Sequence, residues 1–301
     1  MVVRVATSVA ELELRRSELT NGITPPNVAF VPTMGALHEG HLSLVKLARG
    51  VADVVIMSIF VNPLQFGPNE DYARYPRTLD VDLAKAEAAG VDIVFTPSVA
   101  EVYPAGRQIS INAGAIGSVL EGAARPGHFD GVLTVVLKLL NIVRPDIAVF
   151  GRKDAQQLAC IRRMVLDLNL DTDIVGAPII REPDGLAMSS RNRFLSPAER
   201  TSALSLHAAL RAAELETTPA DALAAAERVL AKPVSTGEIE LDYVIIANAA
   251  TMAAVPSDFR GPALAMVAAT VGTTRLIDNG ELTFPEPDLP DAAPVLRPDA
   301  D

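Results

Sequence analysis

Tryptophan is absent from the 301 residues, and aromatic side chains make up only 4% of them. The core must therefore be aliphatic, and a base-stacking platform for single-stranded nucleic acid is not available. Cysteine occurs once, as Cys160. That excludes an internal disulfide and any zinc cluster built from thiolates, and it fits a reducing, cytoplasmic setting. Positive charge is in the minority: 26 Lys and Arg face 37 Asp and Glu, a formal net charge of −11. Generic attraction to a nucleic-acid backbone is disfavoured, so any anionic ligand must be held by a local pocket. Long apolar runs are missing as well. Residues 131–143 are interrupted by Lys138 and Asn141, and residues 261–272 are short and rich in Ala and Gly. Neither reaches the roughly 18 unbroken apolar residues of a membrane span. The N-terminus meets Glu11 and Glu13 without the apolar stretch of a signal peptide.

What is present is globular: 49% hydrophobic and 21% charged residues, with a mean hydropathy of +0.26. The length suits one or two domains. Apolar β-branched runs at 28–31, 54–61, 91–95, 147–150 and 174–180 read as strands. Residues 38–50, 79–89, 132–143 and 156–168 read as helices, with Gly50 and Gly90 as stops. This alternation predicts an α/β fold, a Rossmann-like doubly wound parallel sheet with helices on both faces. The character then changes. Residues 196–230 are Ala-rich and helical, capped by Ser196 with Pro197 and Glu199 behind it. Strands are expected at 241–246, 264–271 and 273–278, which makes a smaller α+β C-terminal domain. The expected division is 1–180, 181–284 and a tail, 285–301, whose prolines and acids predict disorder.

The stretch Pro32-Thr-Met-Gly-Ala-Leu-His-Glu-Gly-His41 follows a strand and opens a helix. Free N–H groups and the positive dipole end of such a helix suit phosphate. Gly35 and Gly40 have P-loop spacing, but His41-Leu42 stands where Lys-Ser/Thr is required, and no G-x-G-x-x-G is present. His38 and His41 share one face of the first turn. Their spacing is wrong for a zincin helix, whereas two imidazoles suit charge stabilisation at phosphorus. Asn62 and Gln65 lie just past the second strand, where ligands sit in open α/β sheets. Lys153, Asp154 and Gln157 follow the fourth strand. Met188, Ser189, Ser190 and Arg191 form a polar loop suited to an oligophosphate. The loop carrying Arg125 and His128 either clamps a carboxylate or is simply structured. Cys160 reads as a buried, inert thiol, and His207 as structural. No Ser-His-Asp pattern is visible.

These stretches, together with Tyr75-Pro-Arg-Thr78, Leu120-Glu-Gly-Ala-Ala-Arg-Pro-Gly-His-Phe129 and Thr274-Arg-Leu-Ile-Asp-Asn279, resemble in order and type the pantoate–β-alanine ligase family of the His-x-Gly-His nucleotidyltransferases. The resemblance implies ATP-dependent condensation of pantoate with β-alanine through a pantoyl adenylate, releasing AMP and pyrophosphate, with Mg²⁺ held mainly by the ATP phosphates. It implies an ATP loop of Met34, Gly35, Ala36, Leu37, His38, Glu39, Gly40 and His41, with His41 the proton donor. Further ATP contacts implied are Gly151, Arg152, Lys153 and Asp154, the backbone of Ile180, and Met188, Ser189, Ser190 and Arg191. The last four match the K-M-S-K-S loop of class I tRNA synthetases. Gln65 and Gln157 would hold pantoate, and Gln65 and Asn62 would lie near β-alanine. A homodimer through the N-terminal domain is also implied. Two positions depart from the family: Arg152 stands where an acid or Gln is more frequent, and Val81 where some relatives carry an acid. The rival readings are a nucleotidyltransferase that leaves the nucleotide on its product, and a nucleotide-binding protein without turnover.

Overall fold

The computed structural model describes residues 2–23, 25–67 and 72–285. The first part of the chain runs β1 (Arg4–Ala6), α1 (Val9–Thr20), β2 (Val28–Thr33), α2 (Glu39–Arg49), β3 (Val54–Ile59), α3 (Leu79–Ala89), β4 (Ile93–Phe95), α4 (Val99–Val102), α5 (Glu121–Ala124), α6 (His128–Val143), β5 (Ile147–Gly151), α7 (Ala155–Asp167) and β6 (Asp173–Ala177). Six strands form one parallel sheet in the order β1-β4-β3-β2-β5-β6. Strand residues alternate between two cores, as the period of two demands. Val28, Phe30, Val54 and Ile56 join α6 and α7 on one side, while Ala29, Val31, Val55 and Met57 meet Leu44 and Val45 of α2 on the other. Burial on both faces is why these strands read as unbroken apolar runs.

The second part has α8 (Pro197–Ala213), α9 (Pro219–Ser235), β7 (Glu240–Asn248), β8 (Gly261–Val271) and β9 (Thr274–Phe284). The three strands are antiparallel in the order β7-β8-β9. Leu206, Leu210 and Leu230 pack on Val267 and Phe284 in a core of their own. The Ser196–Glu199 capping box forms as expected.

Several elements differ from the sequence expectation. The Ala-rich segment is two helices, because Thr218 caps a second start with Pro219 at its first position. α6 begins at His128, four residues before its apolar run. β6 ends at Ala177, and Arg181 and Ala187 then form an isolated antiparallel bridge. β1 and α1 were not expected. Of the expected tail 285–301, residues 286–301 lie outside the described residues.

From β2 the chain proceeds to β3 and β4 on one side, and from β5 to β6 on the other. The crossover direction therefore reverses between β2 and β5. Such a switch point opens a crevice beyond the C-terminal ends of the strands, and the loops that leave β2, β3 and β5 carry Met34–His38, Asn62, Gln65 and Arg152–Asp154.

Candidate functional site

The loop leaving β2 is held from below. Thr33 donates its hydroxyl to Ser58 O at 2.7 Å and accepts from Gly35 N. Gly35 takes φ +85° and Ala36 φ +50°, so the chain turns sharply before the helix. Asp82 of α3, only 1% exposed, accepts from Ala36 N at 2.9 Å and Leu37 N at 2.8 Å, and from the Thr78 hydroxyl. Lys85 Nζ donates to Leu37 O at 2.6 Å. Neither Asp82 nor Lys85 stood out in the sequence. An acid and a lysine on an Ala-rich helix carry no signal when their partners lie some forty-five residues away.

His38 and His41 form a histidine version of the capping box. His38 Nδ1 accepts from Gly40 N at 3.1 Å, and His41 Nδ1 accepts from His38 N at 3.3 Å. With Nδ1 an acceptor in each ring, the proton of the neutral imidazole sits on Nε2. The rings stack loosely, their centroids 4.0 Å apart. Burial, then His38 and Lys85, push His41 down to about 3. Burial, then Lys153 and Lys85, lower His38 as well. At neutral pH the pair is thus uncharged and presents two Nε2–H donors. Gly40 completes the unit by its lack of a side chain, since a Cβ there would lie 2.8 Å from His38 Cε1 and 2.9 Å from its Nδ1.

Past β3, Asn62 is 1% exposed and fully engaged. Its Oδ1 accepts from the Tyr103 hydroxyl at 2.8 Å and from Leu64 N; its Nδ2 donates to Gln65 Oε1 at 3.0 Å and Gly131 O. Gln65 is left with Nε2, which donates to Met34 Sδ at 3.2 Å. The Gln65 carbonyl accepts from His128 Nδ1 at 2.9 Å and from Arg125, and Arg125 also meets His128 Nε2. The Arg125–His128 loop thus fixes a site residue's backbone.

Past β5, residues Arg152–Asp154 form a 3-10 turn into α7. Asp154 is exposed and makes no capping bond. Arg152 turns away from its neighbour Lys153: its Nε donates to Gly176 O at 3.0 Å and its guanidinium pairs with Glu281 of β9 at 2.6 Å. Gln156 faces inward, to Ile116 O, Val119 O and Glu121 N, whereas Gln157 is half-buried. Ile180 O accepts from Met188 N at 2.9 Å, and Met188 Sδ in turn accepts from Gly40 N at 3.3 Å. Lys153, Ser189, Asn192 and Asp278 line one small cavity. Arg191 is exposed. Met34–His41, Gln65, Lys153 and Met188–Ser189 are thus brought together, while Asn62 stands behind Gln65. Val81 is 55% exposed on the outside of α3.

Burial pushes the Cys160 thiol up to about 12, so it stays protonated. Among the described residues, no three His, Cys, Asp or Glu side chains converge as a metal site, and no helix is long and apolar enough to cross a membrane.

Residues 4–281 match the family model described as pantoate-beta-alanine ligase. A curated pantothenate synthetase from Acidothermus cellulolyticus is 53% identical over 282 residues, covering 91% of this chain and 90% of the relative. One from Thermobifida fusca is 54% identical over 266 residues, covering 85% and 90%. The crystal structure of pantothenate synthetase from Thermus thermophilus superposes with a TM-score of 0.84 at 44% identity, covering 94% of this chain and 100% of that one. The pantoate-beta-alanine ligase of Francisella tularensis, complexed with beta-gamma ATP and beta-alanine, gives 0.74 at 36% identity, covering 92% and 97%.

Proposed function

Because the chain belongs to the pantoate–β-alanine ligase family, and as such condenses pantoate with β-alanine to pantothenate using ATP, we propose that its site works through a pantoyl adenylate. A carboxylate is a poor electrophile toward an amine. In the first step a pantoate carboxylate oxygen bonds to the α-phosphorus of ATP and the bond to the bridging oxygen breaks, releasing pyrophosphate. In the second, the β-alanine amine bonds to the acyl carbon, loses a proton and expels AMP. No protein nucleophile takes part, so the protein supplies position and charge.

The observation that carries this reading is the histidine pair. Two neutral rings, each with Nδ1 held by a backbone N–H, offer Nε2–H donors where charge develops on the phosphates. His41 acts as proton donor in this sense, and the negative triphosphate raises its affinity for the proton. Lys153, Ser189, Ser190 and Arg191 neutralise the leaving pyrophosphate. Gln65 and Gln157 hold pantoate, Asn62 acts through Gln65, and Asp154 is available for the ribose. The Ile180 backbone meets adenine.

Mg²⁺ enters with the triphosphate as part of the substrate. The Asp82 oxygens are taken by backbone and Thr78, and the charges acting on His38 are the cations Lys153 and Lys85 and the carboxylates Glu39 and Asp154. We further propose the division near residue 180, closure of the C-terminal part over the adenylate, a homodimer and a cytoplasmic location, on the strength of the family resemblance.

The test is AMP release from ATP, Mg²⁺ and pantoate, with and without β-alanine. AMP that appears only when all components are present supports the reading. Pyrophosphate without AMP in the complete mixture favours a nucleotidyltransferase that keeps the nucleotide on its product.

A further inference from the structure

β9 belongs to the C-terminal sheet, yet Asn279 and Glu281 tie it to the phosphate turn. Asn279, 4% exposed, directs its side-chain amide at two carbonyls of the Arg152–Asp154 turn. Nδ2 donates to Arg152 O at 3.0 Å and to Lys153 O at 2.8 Å. One residue earlier, Asp278 accepts both guanidinium nitrogens of Arg181, at 2.6 and 3.1 Å, and also accepts from Asn279 N. Two residues later, Glu281 pairs with Arg152. The turn is a single 3-10 turn that runs straight into α7, and few side-chain bonds of its own brace it. Asp154 forms no cap, and the Arg152 side chain reaches outward to Gly176 O and Glu281. From outside the turn, the side-chain amide of Asn279 grips both peptides flanking the Lys153 α-carbon.

We infer that Asn279 is a positioning residue for Lys153. By holding the carbonyls on both sides of that α-carbon, it sets the direction in which the lysine leaves the backbone toward the phosphates. The second sheet is then a working part of the phosphate site, and the Arg181–Asp278 pair anchors it beside Ile180. This inference rests on the adenylate reading above, because Lys153 acts there on the leaving pyrophosphate. It therefore concerns the first chemical step and not the second.

The two steps can be measured apart. Pantoate-dependent exchange of labelled pyrophosphate into ATP reports the first. AMP release from chemically prepared pantoyl adenylate and β-alanine reports the second. Asn279→Asp is nearly isosteric, but a carboxylate has no donor and sets negative charge against two carbonyl oxygens. Asn279→Ala removes the amide without adding charge. Both variants should lower the exchange kcat by at least about tenfold, with the second step within about twofold of wild type. Parallel loss of both steps in both variants would make Asn279 a merely structural residue and overturn the inference; so would unchanged exchange. A wild-type protein that shows no pantoate-dependent exchange at all would remove the adenylate reading itself, and the positioning role with it.

Discussion

The Tyr103 hydroxyl donates to Asn62 Oδ1 at 2.8 Å, and that bond fixes the orientation of two successive amides. With Oδ1 held as acceptor, Asn62 can only offer Nδ2 to Gln65 Oε1. Gln65 is then left with its donor end, the end suited to a carboxylate or hydroxyl. Tyr103→Phe keeps the ring beside Phe60 and removes only the hydroxyl. KM for pantoate is expected to rise about fivefold, the worth of one ordinary hydrogen bond, with KM for ATP unchanged. Steady-state kinetics with each substrate varied decides it; equal rises in both constants speak against the relay.

Asp82 gathers two backbone N–H groups and one hydroxyl around a buried carboxylate. Asp82→Asn leaves one acceptor oxygen and adds an NH₂ facing an N–H. Hydrogen bonds to a charged group contribute about 1.5–3 kcal/mol, so a loss of about that size is expected in urea unfolding, together with a raised KM for ATP. An unaltered KM for ATP would separate the carboxylate from the loop it holds.

His41→Ala and Lys153→Ala should each slow pantoate-dependent pyrophosphate exchange by about 10²–10³, the scale for removing a charge-stabilising donor. Rapid-quench measurement of pyrophosphate release gives the rate directly. Near-wild-type release in either variant removes that residue from its role.

Gly40→Ala separates stability from activity. Alanine favours a helix over glycine by about 1 kcal/mol, but its Cβ would press on the His38 ring. Thermal unfolding is expected to change little while adenylate formation falls about tenfold or more. A fully active Gly40→Ala protein would falsify the close-approach argument.

The depressed histidines also predict a pH response. The unfolded chain takes up a proton on His41 near the ordinary value of 6.5, while the folded chain does so only near 3. Between these values the unfolded state binds more protons, so stability is full above about 6.5 and declines as pH falls toward 3. From pH 6.5 to 5 this single group costs at most about 2 kcal/mol. Denaturant midpoints at pH 7 and 5 should therefore shift less in His41→Gln than in wild type.

The sequence was readable where the signal is local. Gly90 ends α3 in the left-handed conformation, at φ +89°, and Ser196 with Glu199 starts α8. The His38–His41 unit was legible because its parts lie within one turn. β1 has only three residues and α1 buries only Leu12, so neither shows a period. Thr218 and Pro219 mark a helix start that continuous Ala-rich composition masks. The residues behind the site were hidden for another reason. Asp82, Lys85 and Tyr103 act on partners far along the chain, and nothing in their own neighbourhoods distinguishes them; the stretch ending in Asn279 carries the family resemblance, but not the role of that amide.

The grip of Asn279 on residues 152 and 153 also sets an order of events during translation. Every strand of the first sheet has been synthesised by residue 177, and domains fold as they emerge. The clamp that holds the phosphate lysine is made by β9, the last strand among the described residues. A nascent chain with a complete first sheet thus has its ligand-binding framework but not its finished turn, and full competence arrives only with synthesis of the final hairpin.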